Sequence, residues 1–144
     1  MKVIKSVFVL FLLVVIISGC KKNDSTTNPT SEFSNKLQIG TGADYAHFAI
    51  AGETAAFTRS GLYANIYWRL ESANDMGGSN VNMKVEKLVG SSYIADTVFA
   101  FTAAQSYGHI MMSSIALQHT GSFKMTGILV TGNVSVATTN FTVQ

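Results

Sequence analysis

The sequence predicts an all-β chain folded as an antiparallel sandwich, and three observations carry that prediction. From Lys36 to Gln144 the chain is rich in Val, Ile, Thr, Tyr, Phe, Gly and Ser and poor in helical spacing. Two segments alternate apolar and polar residues with a period of two, the signature of a strand with one buried side. Gly, Asn and Ser clusters punctuate the apolar runs at short intervals, which leaves no stretch for helical crossovers between parallel strands.

Ahead of that region the chain opens with Lys2 and Lys5, runs through the wholly apolar segment Val7 to Ile17, and reaches the small pair Ser18 and Gly19. Basic start, apolar middle and small residues before a cut are the parts of a secretory signal peptide. Eleven apolar residues are too few for a spanning helix, which needs roughly 20. Cys20, the one cysteine of the chain, follows directly.

Ile17-Ser18-Gly19-Cys20 resembles the bacterial lipobox, with isoleucine where leucine is usual. The resemblance implies cleavage between Gly19 and Cys20, a diacylglycerol thioether on the Cys20 sulfur and acylation of the new amine. Two or three acyl chains anchor a protein stably where one is marginal, at about 0.8 kcal/mol per buried methylene. Residues 1–19 are then a lipoprotein signal peptide. The globular part contains no cysteine and must fold without disulfides. Without Lys2 and Lys5, eight basic residues balance eight acidic ones, so the basic character belongs to the signal and no electrostatic case for a nucleic-acid partner remains.

Residues 20–35 read as the lipidated cysteine and a flexible tether. KKNDSTTNPTSEFSN is almost wholly polar and holds the single proline, Pro29, and such a segment buries too little apolar surface to offset its ordering entropy. The position after Cys20 is Lys21, where an aspartate signals inner-membrane retention in several bacteria, so the outer membrane is the expected location. The tether is similar to those of Bacteroidota lipoproteins, with Lys21, Lys22 and Asp24 matching part of their surface-export signal. Asp24-Ser25-Thr26 and Asp96-Thr97-Val98 resemble the O-glycosylation sequon of that phylum, which makes Ser25 and Thr97 candidate acceptors.

Residues 36–144 are expected to form one domain. Strands are predicted over 36–40, 46–51, 54–58, 62–70, 81–88, 93–101, 109–117, 122–130 and 134–143. In LYANIYWRL, residues 62–70, Leu62, Ala64, Ile66, Trp68 and Leu70 share one face, with Tyr63, Asn65, Tyr67 and Arg69 on the other. VNMKVEKL, residues 81–88, puts Val81, Met83 and Val85 inward and Asn82, Lys84 and Glu86 outward. ESANDMGGSN joins the two as a turn.

The C-terminal run HTGSFKMTGILVTGNVSVATTNFTV resembles the last hairpin of an immunoglobulin-like domain. The strand-opening corner reads His119, Thr120, Gly121, Ser122, Phe123, with Phe123 in place of the tyrosine whose hydroxyl makes the corner bond. Trp68 fits the buried tryptophan of such folds. The resemblance implies an immunoglobulin-like β-sandwich of seven to nine strands and says little about activity.

Chemistry is sparse. His47, His109 and His119 lack the short spacing of metal ligands, and Asp44, Glu53, Asp75 and Asp96 are scattered, so neither a metal site nor a catalytic pair is read from the sequence and no cofactor is implied. Gly40-Thr41-Gly42 lacks the third glycine and the helix of a dinucleotide fingerprint and is read as a turn. Tyr63, Tyr67 and Arg69 on one outward face form a candidate binding row, since Tyr and Arg dominate binding hot spots and aromatic rings stack on sugars. The same tyrosines equally serve to cover a solvent face. The expected protein is a lipid-anchored cell-envelope lipoprotein, in the outer membrane and facing periplasm or cell surface. Its sandwich is a non-catalytic binding or structural module for an envelope protein. The alternative is a glycan-binding accessory lipoprotein using the Tyr/Arg row, and a hydrolase is a more remote one that would require His109 or His119 beside two carboxylates in a pocket.

Overall fold

Ten strands in two five-stranded sheets make up the computed structural model, which describes residues 32–103 and 106–144. They are β1 Lys36–Asp44, β2 Ala49–Glu53, β3 Ala56–Phe57, β4 Ala64–Glu71, β5 Val81–Val89, β6 Ser92–Phe101, β7 Ser106–Tyr107, β8 Ile110–Leu117, β9 Gly121–Leu129 and β10 Val134–Val143. The first sheet runs β2-β1-β4-β8-β7 and the second β3-β10-β9-β5-β6. Without the β2 hairpin and β3, these are the A-B-E-D and G-F-C-C′ orders of an immunoglobulin-like sandwich, the fold class expected. Every pairing is antiparallel except β3, which runs parallel to the end of β10. No helix among the described residues is long and apolar enough to cross a membrane.

Alternation builds the core. Ala64, Ile66, Trp68 and Leu70 of β4 point inward, as do Val81, Met83 and Val85 of β5, and all seven are at most 1% exposed. They meet Ile39, Met111, Ile115, Phe123, Met125 and Phe141 in one cluster drawn from both sheets. Phe123 stacks on Phe141 at 5.4 Å, and Trp68 packs edge-on against Phe101 at 4.8 Å.

Three details depart from the sequence reading, the first being that Gly40-Thr41-Gly42, read as a turn, lies inside β1. Leu62 was expected inward at the start of the strand, yet it is 70% exposed. Ser60 and Tyr63 pair across a tight turn in which Gly61 takes φ +70°, so Leu62 sits at the turn's tip and β4 begins two residues later. Trp68 is buried as expected, but on β4, the central strand of the first sheet. The tryptophan of immunoglobulin domains stands on the strand corresponding to β5, where Met83 occupies the core here. Phe123, by contrast, lies near the start of β9 at the corner position and is fully buried.

Sheet spacing is set by a glycine. Gly127 occupies an inward position of β9 between Met125 and Leu129, and a Cβ there would lie 2.7 Å from Leu70 Cδ1. Valine at 127 should therefore cost about 1–3 kcal/mol of stability by overpacking. Urea unfolding of Gly127→Val, Leu70→Ala and the double variant should show strong coupling, with the double variant less destabilised than the sum of the singles.

Candidate functional site

The two ends of the sandwich differ in kind. At one end the described chain enters: the Ser34 N–H donates to Glu71 Oε1 at 2.8 Å, the Ala73 N–H donates to Asn35 Oδ1 at 2.8 Å, and Lys36 pairs with Glu71 as β1 begins. His109 stacks on Phe33 with ring centroids 4.4 Å apart, while its Nδ1 bonds the Ser72 carbonyl at 2.9 Å. The opposite end gathers the β1–β2 turn, the Ser60–Tyr63 turn, the β5–β6 turn and the link from β8 to β9. Tyr45, Leu62, Tyr63, Val89, Tyr93 and Ile94, all exposed, belong to this far end.

The predicted Tyr/Arg row divides between these settings. Tyr63 lies outside β4 and is 41% exposed, with its hydroxyl accepting from Gln118 Nε2 at 3.0 Å. Tyr67 is half-buried on the outer face opposite Gly40 and Ser114. Arg69 is committed elsewhere: its Nη1 donates to Glu71 Oε2 at 2.6 Å and to Gln38 Oε1 at 3.1 Å, while Gln38 Nε2 donates to Glu53 Oε2 at 3.3 Å. Both side chains of the Arg69–Glu71 pair are 13% exposed, so the guanidinium is a structural tie and not an open hot spot.

A cleft of about 260 Å³ opens at the far end on the side where β6 and β8 form the margins of their sheets. Tyr63, Asp96, Thr97, Phe99, Ala116, Leu117, Gln118 and His119 line it. The register of β5 with β6 skips at Asp96, so this residue is the extra one of a β-bulge, a device that redirects a side chain. Its carboxylate takes a hydrogen bond from His119 Nδ1 at 2.8 Å. Asp96 is only 9% exposed at its side chain and His119 is 60% exposed, so the carboxylate orients an imidazole that presents its other nitrogen to solvent. Arg59 Nη1 donates to the Gln118 carbonyl at 3.0 Å and fixes the loop that carries both groups.

Such a cleft offers an aromatic ring, an amide and an oriented imidazole to a ligand. One carboxylate accompanies the histidine among the described lining residues, where the hydrolase reading required two. Thr97 pairs with Val85, faces inward and is half-buried beside Asp96. Gly19, Cys20 and Ser25 lie outside the described residues.

The histidines stay apart. His47 bonds Asp44 Oδ2 at 2.7 Å in the β1–β2 turn, His109 bonds Ser72, and His119 bonds Asp96. Among the described residues no three His, Cys, Asp or Glu side chains gather closely enough to hold a metal. On the outer face of the second sheet, Glu86 receives Lys84 at 2.9 Å and Lys124 at 2.8 Å, Lys124 Nζ also lies 4.6 Å from the Tyr93 ring centroid, and Thr126 bonds Thr138 across strands at 3.0 Å. No family model matches the chain, and no curated protein or solved structure does.

Three carboxylates are held below their ordinary range. The backbone N–H of Ser34, with Arg69 second, depresses Glu71; Lys124 and then Lys84 depress Glu86; the side chain of His47 depresses Asp44. A carboxyl whose folded value is depressed binds its proton more readily in the unfolded chain. Its contribution is complete above the unfolded pKa and disappears as pH falls through the folded one. The urea midpoint should stay level from neutral pH to about 5 and fall below about 4. Glu71→Gln should flatten that acid limb, read from midpoints between pH 3 and 7.

Proposed function

We propose that this protein is a lipid-anchored lipoprotein of the cell envelope whose sandwich serves as a non-catalytic binding or structural module, with its far end as the working surface. Polarity of the domain is the observation that carries the reading. The described chain enters beside Glu71, and the exposed apolar residues and the Tyr63–His119 cleft lie at the other end of the same strands. A nine-residue strand such as β1 is roughly 30 Å long, so the end where the described chain enters and the far end are well separated.

The lipobox resemblance of Ile17 to Cys20, the polar segment 20–35 and the location implied by Lys21 support an outer-membrane anchor facing periplasm or cell surface. Apolar side chains with a few oriented polar groups form the usual surface for recognising a protein partner. Tyr45, Leu62, Tyr63, Val89, Tyr93 and Ile94 are exposed at the turns of that end.

Cys20→Ser tests the anchor. In whole cells the variant should remain uncut and should lose the fatty-acyl label that the unaltered protein takes up from labelled palmitate. Unchanged processing and labelling would overturn the lipid reading.

A further inference from the structure

The far-end cleft carries hydrogen-bonding atoms that the fold itself does not use. Asp96 accepts from His119 Nδ1 through Oδ1, and Gln118 commits Nε2 to the Tyr63 hydroxyl, so Asp96 Oδ2 and Gln118 Oε1 have no protein donor among the described residues. Both reach solvent: Gln118 is exposed, and the sealed side-chain atoms without a partner are Trp68 Nε1 and Arg69 Nε. The Tyr63 hydroxyl, having accepted, keeps its hydrogen to donate, and the neutral ring of His119, with Nδ1 on Asp96, turns Nε2 outward as an acceptor. Donor and acceptors thus stand beside the Tyr63 ring and the apolar side chains of Phe99 and Leu117.

Size and charge narrow the occupant. A cleft of about 260 Å³ lies below the roughly 300–1,000 Å³ of sites that take drug-sized ligands, so it holds one ring or one side chain. An acid meets the Asp96 carboxylate and no lysine or arginine among the lining residues. A cation finds that carboxylate already paired with an imidazole, and the Arg59 guanidinium bound to the Gln118 carbonyl. A wholly apolar ring covers Asp96 Oδ2 and Gln118 Oε1 without replacing the water that bonds them, which is unfavourable. A neutral ring rich in hydroxyls meets every condition. Each hydroxyl donates once and accepts twice, adjacent pairs span a carboxylate or an amide, and the C–H face of the ring lies on an aromatic side chain.

We propose that the Tyr63–His119 cleft binds a single neutral pyranose, its hydroxyls on Asp96 Oδ2, Gln118 Oε1 and His119 Nε2 and its C–H face on Tyr63. The inference deepens the binding-module reading and rests on it. It also moves sugar recognition away from the outward row of Tyr63, Tyr67 and Arg69, whose guanidinium is tied to Glu71, so that Tyr63 alone belongs to both. The bulge at Asp96 delivers the carboxylate, and the loop held by Arg59 delivers the amide and the imidazole.

The isotope-labelled full chain in dodecylphosphocholine micelles, which carry no sugar, is titrated with glucose, galactose, mannose, fucose and N-acetylglucosamine and with their methyl glycosides while amide shifts are followed. At least one sugar should shift the amides of Asp96, Thr97, Gln118 and His119 saturably, with a millimolar dissociation constant, and leave those of Lys36 and Glu71 in place. Binding of both forms fits the end of a glycan, and binding of the free sugar alone fits a monosaccharide. His119→Ala and Tyr63→Ala should each weaken that sugar at least tenfold, whereas Tyr63→Phe, which keeps the ring, should retain binding. Replacing the sugar's hydroxyls one at a time by fluorine, which donates nothing, should cost at least tenfold at one or more positions, an arm independent of how any variant folds. No shift with any sugar, shifts gathered around Tyr67 instead, equal binding of every fluorinated analogue, or tighter binding of lysine amide at the same amides would each overturn the site. Palmitate labelling at Cys20 reads a different part of the chain, so failure of the cleft and failure of the anchor are told apart.

Discussion

Leu70 occupies the space that a side chain at position 127 would need, and the separation of the two sheets follows from that contact. No cysteine lies within residues 36–144, so no covalent bridge sets the spacing, and side-chain interdigitation must do so. Trp68, Phe123, Met83 and Met125 fill the remaining interior at or near zero exposure. Close packing of this kind holds the strands in one register where the interior is full.

Much of this architecture could be read from residue order. The period-two patterns of β4 and β5 have a simple physical cause, the burial of one sheet face, and the inward sets from Ala64 to Leu70 and Val81 to Val85 agree with them. Alternation states that Trp68 faces inward but is silent on which sheet holds it, which is why its position in the immunoglobulin arrangement differs from expectation. Leu62 fits the alternation and still lies outside, because the φ +70° of Gly61 turns the chain before the strand starts. Local backbone geometry overrides the pattern at that point.

The candidate site was less legible for a different reason. Arg69 and Glu71 are two residues apart on one strand face, so their pairing was available to sequence reasoning, and it withdraws the guanidinium from ligand binding. Asp96 and His119 are 23 residues apart and meet only through the fold. The one local sign was a charge within the apolar run of SYIADTVFAF, where a bulge resolves the conflict between strand and carboxylate.

The core is also unusually rich in thioethers. Met76, Met83, Met111 and Met125 are all at most 3% exposed. Sulfoxidation turns a flexible apolar side chain into a polar one that a packed interior does not accept, and burial withholds these sulfurs from oxidants while the sandwich is closed. Each opening exposes them, and a chain oxidised while open is hindered from repacking. In an oxidising surrounding the lifetime of this domain is thus governed by how often it opens, and sulfoxide at the core positions becomes a chemical record of those openings.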